Sequence, residues 1–225
     1  MKKPPPVALV CAGSISASPV AKIRNLANYL GPVKSSALRV ASRIANILRA
    51  GHAVGSYNDF NGIRIILISV PDSLVPETIG EMMGSGISWA GRTVVLSSNR
   101  LGCSGLAPLA EVGAHIGSLG LVPGFEDSWF LLEGDRVVVG NVRPLLASTG
   151  VRITTLVPLR REAYEVALAC VGVGLFPALQ HAVESMKAAG VSKQEADTIL
   201  EKQFMRTGRY YLRSGRRIPG AGDED

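Results

Sequence analysis

Residues 7–13 read Val-Ala-Leu-Val-Cys-Ala-Gly, an apolar run bounded by three prolines on one side and by Gly13 on the other. A short, continuous apolar run of this kind predicts a buried strand. A glycine directly after such a strand is typical of the phosphate-binding turn of dinucleotide-binding domains. That turn usually carries three glycines, G-x-G-x-x-G, whereas residues 11–16 read Cys-Ala-Gly-Ser-Ile-Ser and keep only the middle one. The context predicts a cofactor-binding fold, and the motif predicts an altered phosphate turn.

The composition is that of a soluble globular protein. A chain of 225 residues suggests one or two domains, and 47% hydrophobic with 19% charged residues fits the soluble class. We find no apolar stretch long enough to predict a membrane span. The prolines at positions 4–6 are unsuited to a signal peptide, so we expect no export and a cytoplasmic protein.

The net charge of +6 and the three cysteines point to no special chemistry. The excess charge lies in late arginines, from Arg206 to Arg217, without a nucleic-acid-binding motif, so we expect no nucleic-acid partner. The cysteines, Cys11, Cys103 and Cys170, are far apart in apolar settings and lack the spacing of metal ligands or redox pairs. They are interpreted as buried thiols, and no metal site is predicted.

Strands and helices are predicted to alternate through the first two-thirds of the chain. After the first strand, Ser18 and Pro19 predict a helix start, and apolar residues at helical spacing continue to residue 30, where Gly31 and Pro32 end the helix. Further strands are predicted at residues 36–41, 63–70, 93–98, 114–121, 129–133 and 153–157, and helices at 44–50, 74–83, 106–112 and, less clearly from the pattern, 142–148.

This alternation predicts an α/β fold: a Rossmann-like, mostly parallel sheet with helices on both faces. A small all-α C-terminal part follows, with helical periodicity over residues 161–189, interrupted at Gly172, Gly174 and Pro177, and a capping box at Ser192 that opens a last helix to about residue 213. We predict a dinucleotide-binding domain at residues 1–158, a helical dimerisation domain at 159–216 and a flexible tail at 217–225.

A dinucleotide would lie along the predicted carboxyl ends of the strands. Its pyrophosphate would meet the turn at Gly13, Ser14 and Ile15, because backbone N–H groups at such a turn bind phosphate. Ser42 and Arg43 follow the predicted second strand, which carries no acidic residue, and they suit the 2′-phosphate of NADP better than the ribose of NAD. Val70 and Pro71 end the central strand, where ligands sit in such sheets.

These landmarks, in this order, resemble Rossmann-like proteins that carry a small helical C-terminal domain. The group lies in the superfamily of 6-phosphogluconate dehydrogenase, pyrroline-5-carboxylate reductase and deazaflavin-dependent NADP reductases. The shared landmarks are Gly13, Ser-Arg at 42–43, Val-Pro-Asp at 70–72, Leu-Ala-Pro-Leu at 106–109 and Leu-Glu-Gly-Asp at 132–135. The resemblance covers residues 7 to about 213 and implies NADP as cofactor, a small-molecule ligand and a homodimer formed through the C-terminal helices.

The sequence departs from this group at three histidines. Residues 96–99 read Leu-Ser-Ser-Asn where the group carries His-Thr-Ser-Gly, residues 118–121 read Ser-Leu-Gly-Leu where it carries Ser-Leu-His-Pro, and Glu165 replaces the histidine of a Tyr-His pair. His52, His115 and His181 do not match those positions and are interpreted as structural or surface residues. Ser97, Ser98, Tyr164 and Glu165 remain as acid candidates, and we take Ser98 and Glu165 as the catalytic hypotheses.

Three functions are compatible with these features. The chain is predicted to be an NADP-binding oxidoreductase of unassigned substrate with a degenerate phosphate turn. The alternatives are a non-catalytic ligand-binding or regulatory protein that kept the fold and lost the chemistry, and a homodimeric scaffold with an empty pocket.

Overall fold

The computed structural model describes residues 6–16, 18–23, 25–125, 129–147 and 151–214. The chain divides into two compact units, Met1–Glu162 and Ala163–Asp225. The predicted flexible tail, residues 217–225, lies outside the described residues.

The first unit is built on one eight-stranded sheet with the order β3-β2-β1-β4-β5-β6-β7-β8. The strands are β1 (Val7–Cys11), β2 (Leu30–Lys34), β3 (His52–Val54), β4 (Ile65–Ser69), β5 (Thr93–Ser97), β6 (His115–Leu121), β7 (Trp129–Gly134) and β8 (Arg152–Leu156). All neighbours are parallel except β6 and β7. Since the first six strands follow the doubly wound order, the predicted Rossmann-like α/β class is confirmed.

Helices cover both faces of this sheet: α1 (Leu38–Leu48), α2 (Val75–Met83), α3 (Ala107–Glu111) and α4 (Arg136–Ala147). Alternate residues of β1 enter two separate apolar clusters, with Leu9 packed on the side of α1 and α4 and Val10 on the side of α2 and α3. Burial on both faces explains why the central strands are continuous apolar runs in the sequence.

Residues 20–30 do not form the predicted helix. They form two 3-10 turns, Pro19–Lys22 and Leu26–Asn28, and the chain then enters β2. Val20, Ile23 and Leu26 are buried as the helix prediction requires, but their spacing of three residues is that of a 3-10 turn. Gly31 and Pro32 do not end a helix; they lie inside β2, where the register with β1 shifts by one residue. A bulge accommodates a proline because the missing N–H breaks the ladder there.

The predicted strand at residues 36–41 is also wrong. Residues 38–48 form α1, which buries Ala41, Ile44 and Ala45, so the predicted helix at 44–50 is the second half of a longer one. The second strand instead lies earlier, at Leu30–Lys34. The short strand β3 (His52–Val54) was not predicted, since three residues carry too little pattern.

The remaining predicted elements are confirmed. The ambiguous segment before β8 is the helix α4, and the Asp135 side chain caps it by accepting from the Val138 N–H at 2.8 Å. In the second unit, α5 (Arg161–Val171), which begins in the first unit, and α6 (Phe176–Ala188) are separated by a 3-10 turn at Val173–Leu175, where the glycines predicted an interruption. The last helix, α7 (Lys193–Arg213), begins at the predicted cap Ser192.

The expectation that no apolar stretch is long enough to span a membrane is wrong. By length and composition alone, the 28 residues of Arg161–Ala188 qualify as a candidate span. The most apolar window of this segment is 0% buried.

A pair of glycines lets α4 pack closely on the sheet, and this gives a testable prediction. Gly117 and Gly134 lie opposite each other on β6 and β7, and a Cβ at Gly117 would come within 2.6 Å of Val138 Cγ1 and 2.5 Å of the Glu133 carbonyl oxygen. Gly117→Ala should therefore lower the free energy of unfolding by about 1–3 kcal/mol. Gly140→Ala, in α4 with open space around it, should raise it by about 0.5–1 kcal/mol. Urea denaturation of both variants tests the pair; equal effects would contradict the packing argument.

Candidate functional site

A cleft of about 230 Å³ lies at the carboxyl ends of β1, β4 and β5. In the strand order, β1 is flanked by β2 and β4, so the connections after β1 and β4 run in opposite directions. Such a switch point is where open α/β sheets bind ligands. The cleft is lined by residues from the three strand ends and the loops that follow them: Ala12, Ser14, Ser18, Pro19, Ser69, Val70, Pro71, Asp72, Ser97, Ser98, Asn99 and Arg100.

The turn after β1 leaves backbone N–H groups open. Gly13 has φ +70°, and a Cβ there would meet only Pro71 Cγ, at 3.9 Å. Ile15 is buried and anchors the turn, whereas Ser14 is exposed. Within the described part of the chain, the N–H groups of Gly13, Ser14 and Ile15 have no hydrogen-bond partner. The predicted residues Gly13, Ser14, Val70 and Pro71 are thus brought together at one cleft.

Three serines take the place of the first turn of the usual helix. The Ser69 hydroxyl donates to Ser18 Oγ at 2.7 Å, and the Ser18 and Ser97 hydroxyls are 3.0 Å apart. The Val20 N–H, the first N–H available after Pro19, points at Ser18 Oγ and Ser97 Oγ, at 3.3 and 3.2 Å. The Ser18 and Ser97 hydroxyls therefore satisfy the N–H that opens the 3-10 turn, and Ser69, at the end of β4, holds Ser18. These serines leave the N–H groups of the turn at Gly13 unused.

Ser98 lies in the cleft and is held by its surroundings. Its hydroxyl donates to Asp72 Oδ1 at 2.9 Å and accepts from the N–H groups of Arg100 and Leu101 at 3.0 and 2.9 Å. Arg100 Nε is 4.0 Å from Asp72 Oδ2, but the Arg100 side chain is 88% exposed, so this ion pair contributes little. The candidate acid Ser98 thus has its proton directed at Asp72, and these contacts fix the start of the loop after β5.

The other catalytic hypothesis, Glu165, lies exposed on α5. His52 and His181 are exposed, and His115 Nδ1 is 3.0 Å from Asp135 Oδ2, outside the cleft lining. Among the described residues, no group of three or more His, Cys, Asp or Glu side chains could hold a metal ion.

The structure places Ser42 and Arg43 inside α1 rather than after the second strand, so the positional reason for assigning them to a 2′-phosphate does not hold. The residues that follow β2 are Ser35 and Ser36, next to Lys34 at the strand end. The Lys34 ammonium donates to the Ser35 carbonyl at 2.7 Å and lies 5.1 Å from the centre of the Tyr57 ring. The Ser35 hydroxyl is buried and has no partner among the described residues.

A buried polar network contacts the loop after β5, and no pattern in the sequence predicted it. Glu133 on β7 is 1% exposed and Arg161 is 7% exposed. The two Glu133 oxygens accept from the N–H of Cys103, the N–H of Leu159 and the Ser118 hydroxyl, at 2.9, 2.9 and 2.8 Å. Glu133 belongs to the Leu-Glu-Gly-Asp landmark at residues 132–135, but this short motif does not indicate a buried carboxylate.

The cysteines are only partly as predicted. Cys11 and Cys103 are buried, whereas Cys170 is exposed on α5. Burial raises the pKa of the Cys11 thiol to about 12, against a smaller opposing effect of the Lys34 charge. Cys11, at the position of the first motif glycine, is therefore a neutral, buried side chain, and its thiol points at the Lys34 carbonyl at 3.5 Å.

No model of a known protein family and no curated protein matches the sequence. Solved structures match the fold. A Bacteroides fragilis protein proposed to be an NADP oxidoreductase has a TM-score of 0.69 at 13% identity, over 94% of this chain and 81% of its own. An imine reductase variant of Myxococcus stipitatus in complex with NAD+ has a TM-score of 0.68 at 16% identity, over 100% and 81%. An imine reductase of Aspergillus terreus in complex with NADPH4 has a TM-score of 0.66 at 17% identity, over 98% and 79%.

The chain therefore has the fold of these proteins, a Rossmann-like domain followed by a helical domain. The fold that the resemblance implies, a Rossmann-like sheet followed by helices, is confirmed.

Two observations test whether the residues present fit a dinucleotide. A Cβ at Gly13 would occupy the space through which a pyrophosphate approaches the open N–H groups, so the glycine is placed where such a cradle needs one. The orphaned Ser35 hydroxyl lies after β2, where the adenosine ribose is read in such sheets. The residues fit the group, although in the described part of the segment between β1 and β2 only 3-10 turns replace the α-helix.

Proposed function

We propose that the chain is an NADP(H)-dependent oxidoreductase that binds its cofactor across the cleft. The observation that carries the proposal is the open turn at Gly13, at the switch point of a doubly wound sheet. The similarity in fold to imine reductases solved with NAD+ and with NADPH4 supports a nicotinamide cofactor. When bound, that cofactor supplies a hydride donor or acceptor for a small-molecule substrate.

The roles of the chain's own residues follow from the geometry. The N–H groups of Gly13, Ser14 and Ile15 would donate to the pyrophosphate. Val70 and Pro71 follow β4, which lies between β1 and β5, and they line the cleft together with Asp72 and Ser98. No catalytic acid is assigned among these residues.

A panel of ligands tests this function. Thermal-shift measurements with NADPH, NADH, FAD and single nucleotides should show the largest stabilisation with NADPH. At a ligand concentration about 100 times Kd, binding adds about 2.7 kcal/mol to the free energy of unfolding, which is readily measured. No shift with any nucleotide would reject the proposed function.

We propose NADP rather than NAD because of the residues at the end of β2. Residues 34–39 contain Lys34, Ser36 and Arg39 and no acidic side chain that could accept from a ribose 2′-hydroxyl. Ser36 and Arg39 are exposed, and Lys34 is fixed by its bond to the Ser35 carbonyl. These groups replace Ser42 and Arg43 as the proposed contacts of the 2′-phosphate.

Charge reversal at Lys34 provides the matching prediction. Lys34→Glu should weaken NADPH binding by at least about tenfold, because it places a carboxylate beside a dianionic phosphate, and should change NADH binding by less than about twofold. Arg43→Glu, the same charge change inside α1, is the control and should leave both affinities near wild type. Titration of each variant by nicotinamide fluorescence measures the four affinities. A selective NADPH loss in Arg43→Glu instead would return the 2′-phosphate to the position predicted from sequence.

We propose that the second unit pairs with a second copy of the chain. Ala196 is the only buried residue within 163–214, a stretch described throughout, and a folded unit needs more buried apolar surface than that. Val171 and Phe176 are 68% and 62% exposed. α7 carries charges of both signs along its length and lies outside the candidate span, and we propose a protein partner for the apolar surface of α5 and α6. A second copy of the chain exposes the same apolar surface, so pairing would remove both surfaces from water.

Sedimentation equilibrium tests the pairing. The molecular mass of the wild-type protein in solution should be twice the 23.7 kDa of the chain. Val171→Asp with Phe176→Asp should dissociate the dimer, while Ile47→Asp, at a 57% exposed position of α1, should not. A wild-type monomer at micromolar concentration would contradict the proposal. Flotation with phosphatidylglycerol vesicles would show that the apolar segment meets a membrane instead.

A further inference from the structure

Two buried charged side chains, Arg161 and Glu133, form hydrogen bonds to the backbone of the loop after β5, residues 98–103. Arg161 donates through Nη2 to the Asn99 carbonyl at 2.6 Å and through Nη1 to the Leu101 carbonyl at 3.2 Å. Glu133 accepts from the Cys103 N–H at 2.9 Å. One guanidinium and one carboxylate thus bind three backbone groups within five consecutive residues of the loop.

The network is closely packed. Ser118 links its two halves, because its hydroxyl donates to Glu133 at 2.8 Å and accepts from Arg161 at 3.3 Å. A Cβ at Gly102 would lie 3.0 Å from Glu133 Oε2 and 3.3 Å from Arg161 Cδ. A Cβ at Gly120 would lie 3.0 Å from the Ser98 carbonyl oxygen and 3.4 Å from Arg161 Nη2. The loop therefore has little room to shift relative to the two charges.

A contribution to the free energy of unfolding does not by itself explain why two charged side chains are buried at this loop. Buried charged pairs are often no more stabilising than apolar side chains of the same volume, since desolvation offsets their attraction. The bonds of Arg161 to Asn99 and Leu101, however, determine the path of a loop that has no regular structure between Ser98 and Gly102. A planar guanidinium suits this role, because it fixes two acceptors at once in a defined plane.

The same loop also borders the cleft. Ser98, Asn99 and Arg100 line it. In the doubly wound order, one half of a dinucleotide lies over β1 to β3 and the other over β4 to β6, so this loop borders the half away from the adenosine. We propose that Arg161 and Glu133 are positioning residues that fix the loop after β5 and thereby form the nicotinamide half of the cofactor site. This inference rests on the proposed function.

The test compares a whole ligand with half of it. Arg161→Lys keeps a positive charge beside Glu133 but cannot reproduce the two in-plane bonds to the loop carbonyls. Loss of one or two such charge-assisted bonds should weaken NADPH binding by about 10- to 100-fold. Binding of adenosine 2′,5′-bisphosphate, which does not reach the loop, should stay within about twofold of wild type. Arg92→Lys is the matched control: Arg92 also donates to two backbone carbonyls, those of Phe60 and Ile63, but lies outside the cleft lining, so both affinities should be retained.

Amide hydrogen exchange without ligand gives a readout that is independent of cofactor. Residues 98–103 should exchange at least about tenfold faster in Arg161→Lys, and at the wild-type rate in Arg92→Lys. If Arg161→Lys does not fold, Glu133→Gln replaces it, because the glutamine amide turns an N–H towards one of the three donors that Glu133 accepts from. Glu133→Gln should likewise weaken NADPH binding, retain binding of the bisphosphate and speed up exchange in the loop. Parallel loss of both affinities, or unchanged exchange of the loop, would overturn the positioning role. A wild-type protein that binds neither ligand would overturn the proposed function, and the exchange rates would still decide whether the pair fixes the loop.

Discussion

Gly13→Val should reduce NADPH binding by at least about 100-fold, because the side chain blocks two charge-assisted hydrogen bonds worth about 1.5–3 kcal/mol each. A Cβ at this position meets nothing in the protein closer than Pro71 Cγ at 3.9 Å, so the fold has room for it. The space it fills is the one a pyrophosphate needs to approach the N–H groups of the turn. Calorimetric titration with NADPH measures the loss.

The control must carry the same backbone strain. Gly62 has φ +80°, compared with +70° at Gly13, and a Cβ there would meet nothing within 4 Å. Each valine should cost about 1–2 kcal/mol of stability through its left-handed backbone. Gly62→Val should nevertheless bind NADPH as wild type does. Equal affinities of the two variants would show that the turn at Gly13 is not the phosphate site.

Glu133→Ala should lower the free energy of unfolding by about 3–5 kcal/mol, the largest stability effect we expect from one side chain. The change leaves the N–H groups of Cys103 and Leu159 and the Ser118 hydroxyl without their buried acceptor. It also leaves the buried Arg161 charge, 7% exposed, without the carboxylate that shares its network. Urea denaturation at neutral pH measures the difference.

Glu111→Ala, at the exposed end of α3, is the matched control and should change stability by less than about 0.5 kcal/mol. A loss below about 1 kcal/mol in Glu133→Ala would mean that water or nearby groups replace the carboxylate, and the network would then be too weak to fix the loop.

The central strands could be predicted because burial on both faces of the sheet requires apolar residues at nearly every position. Both faces of β1, β4 and β5 are covered, so nearly every residue is apolar, and the run ends where the sheet ends. The amphipathic helices behind them and the Ser192 cap follow equally local rules.

The segment between β1 and α1 could not be predicted, since its local signals favoured other structures. The spacing of Val20, Ile23 and Leu26 fits an α-helix and a 3-10 turn alike, and tertiary packing selects the latter. A Gly-Pro pair usually ends an element, but a bulge lets Gly31 and Pro32 lie within β2. That error displaced the second strand and led to the assignment of Ser42 and Arg43.

Some residues of the candidate site could likewise be predicted from the sequence, and others could not. Gly13, Val70 and Pro71 were identified because they directly follow strands that could be predicted. The contacts of Arg161 with Asn99 and Leu101 join positions about 60 residues apart through backbone carbonyls, which any residue type provides. Contacts of this kind therefore cannot be predicted from the pattern of residue types in the sequence.

Amide hydrogen exchange of the wild-type protein with and without NADPH tests the location of the cofactor most directly. We predict slower exchange in NADPH at residues 13–16, 34–36, 70–72 and 98–101, around the cleft. A larger apolar groove of about 910 Å³, lined by residues of α4 and β8 at 134–147 and 155–158, should show no change. Unchanged exchange around Gly13, or protection confined to the groove beside α4, would contradict the assignment of the cleft as the dinucleotide site.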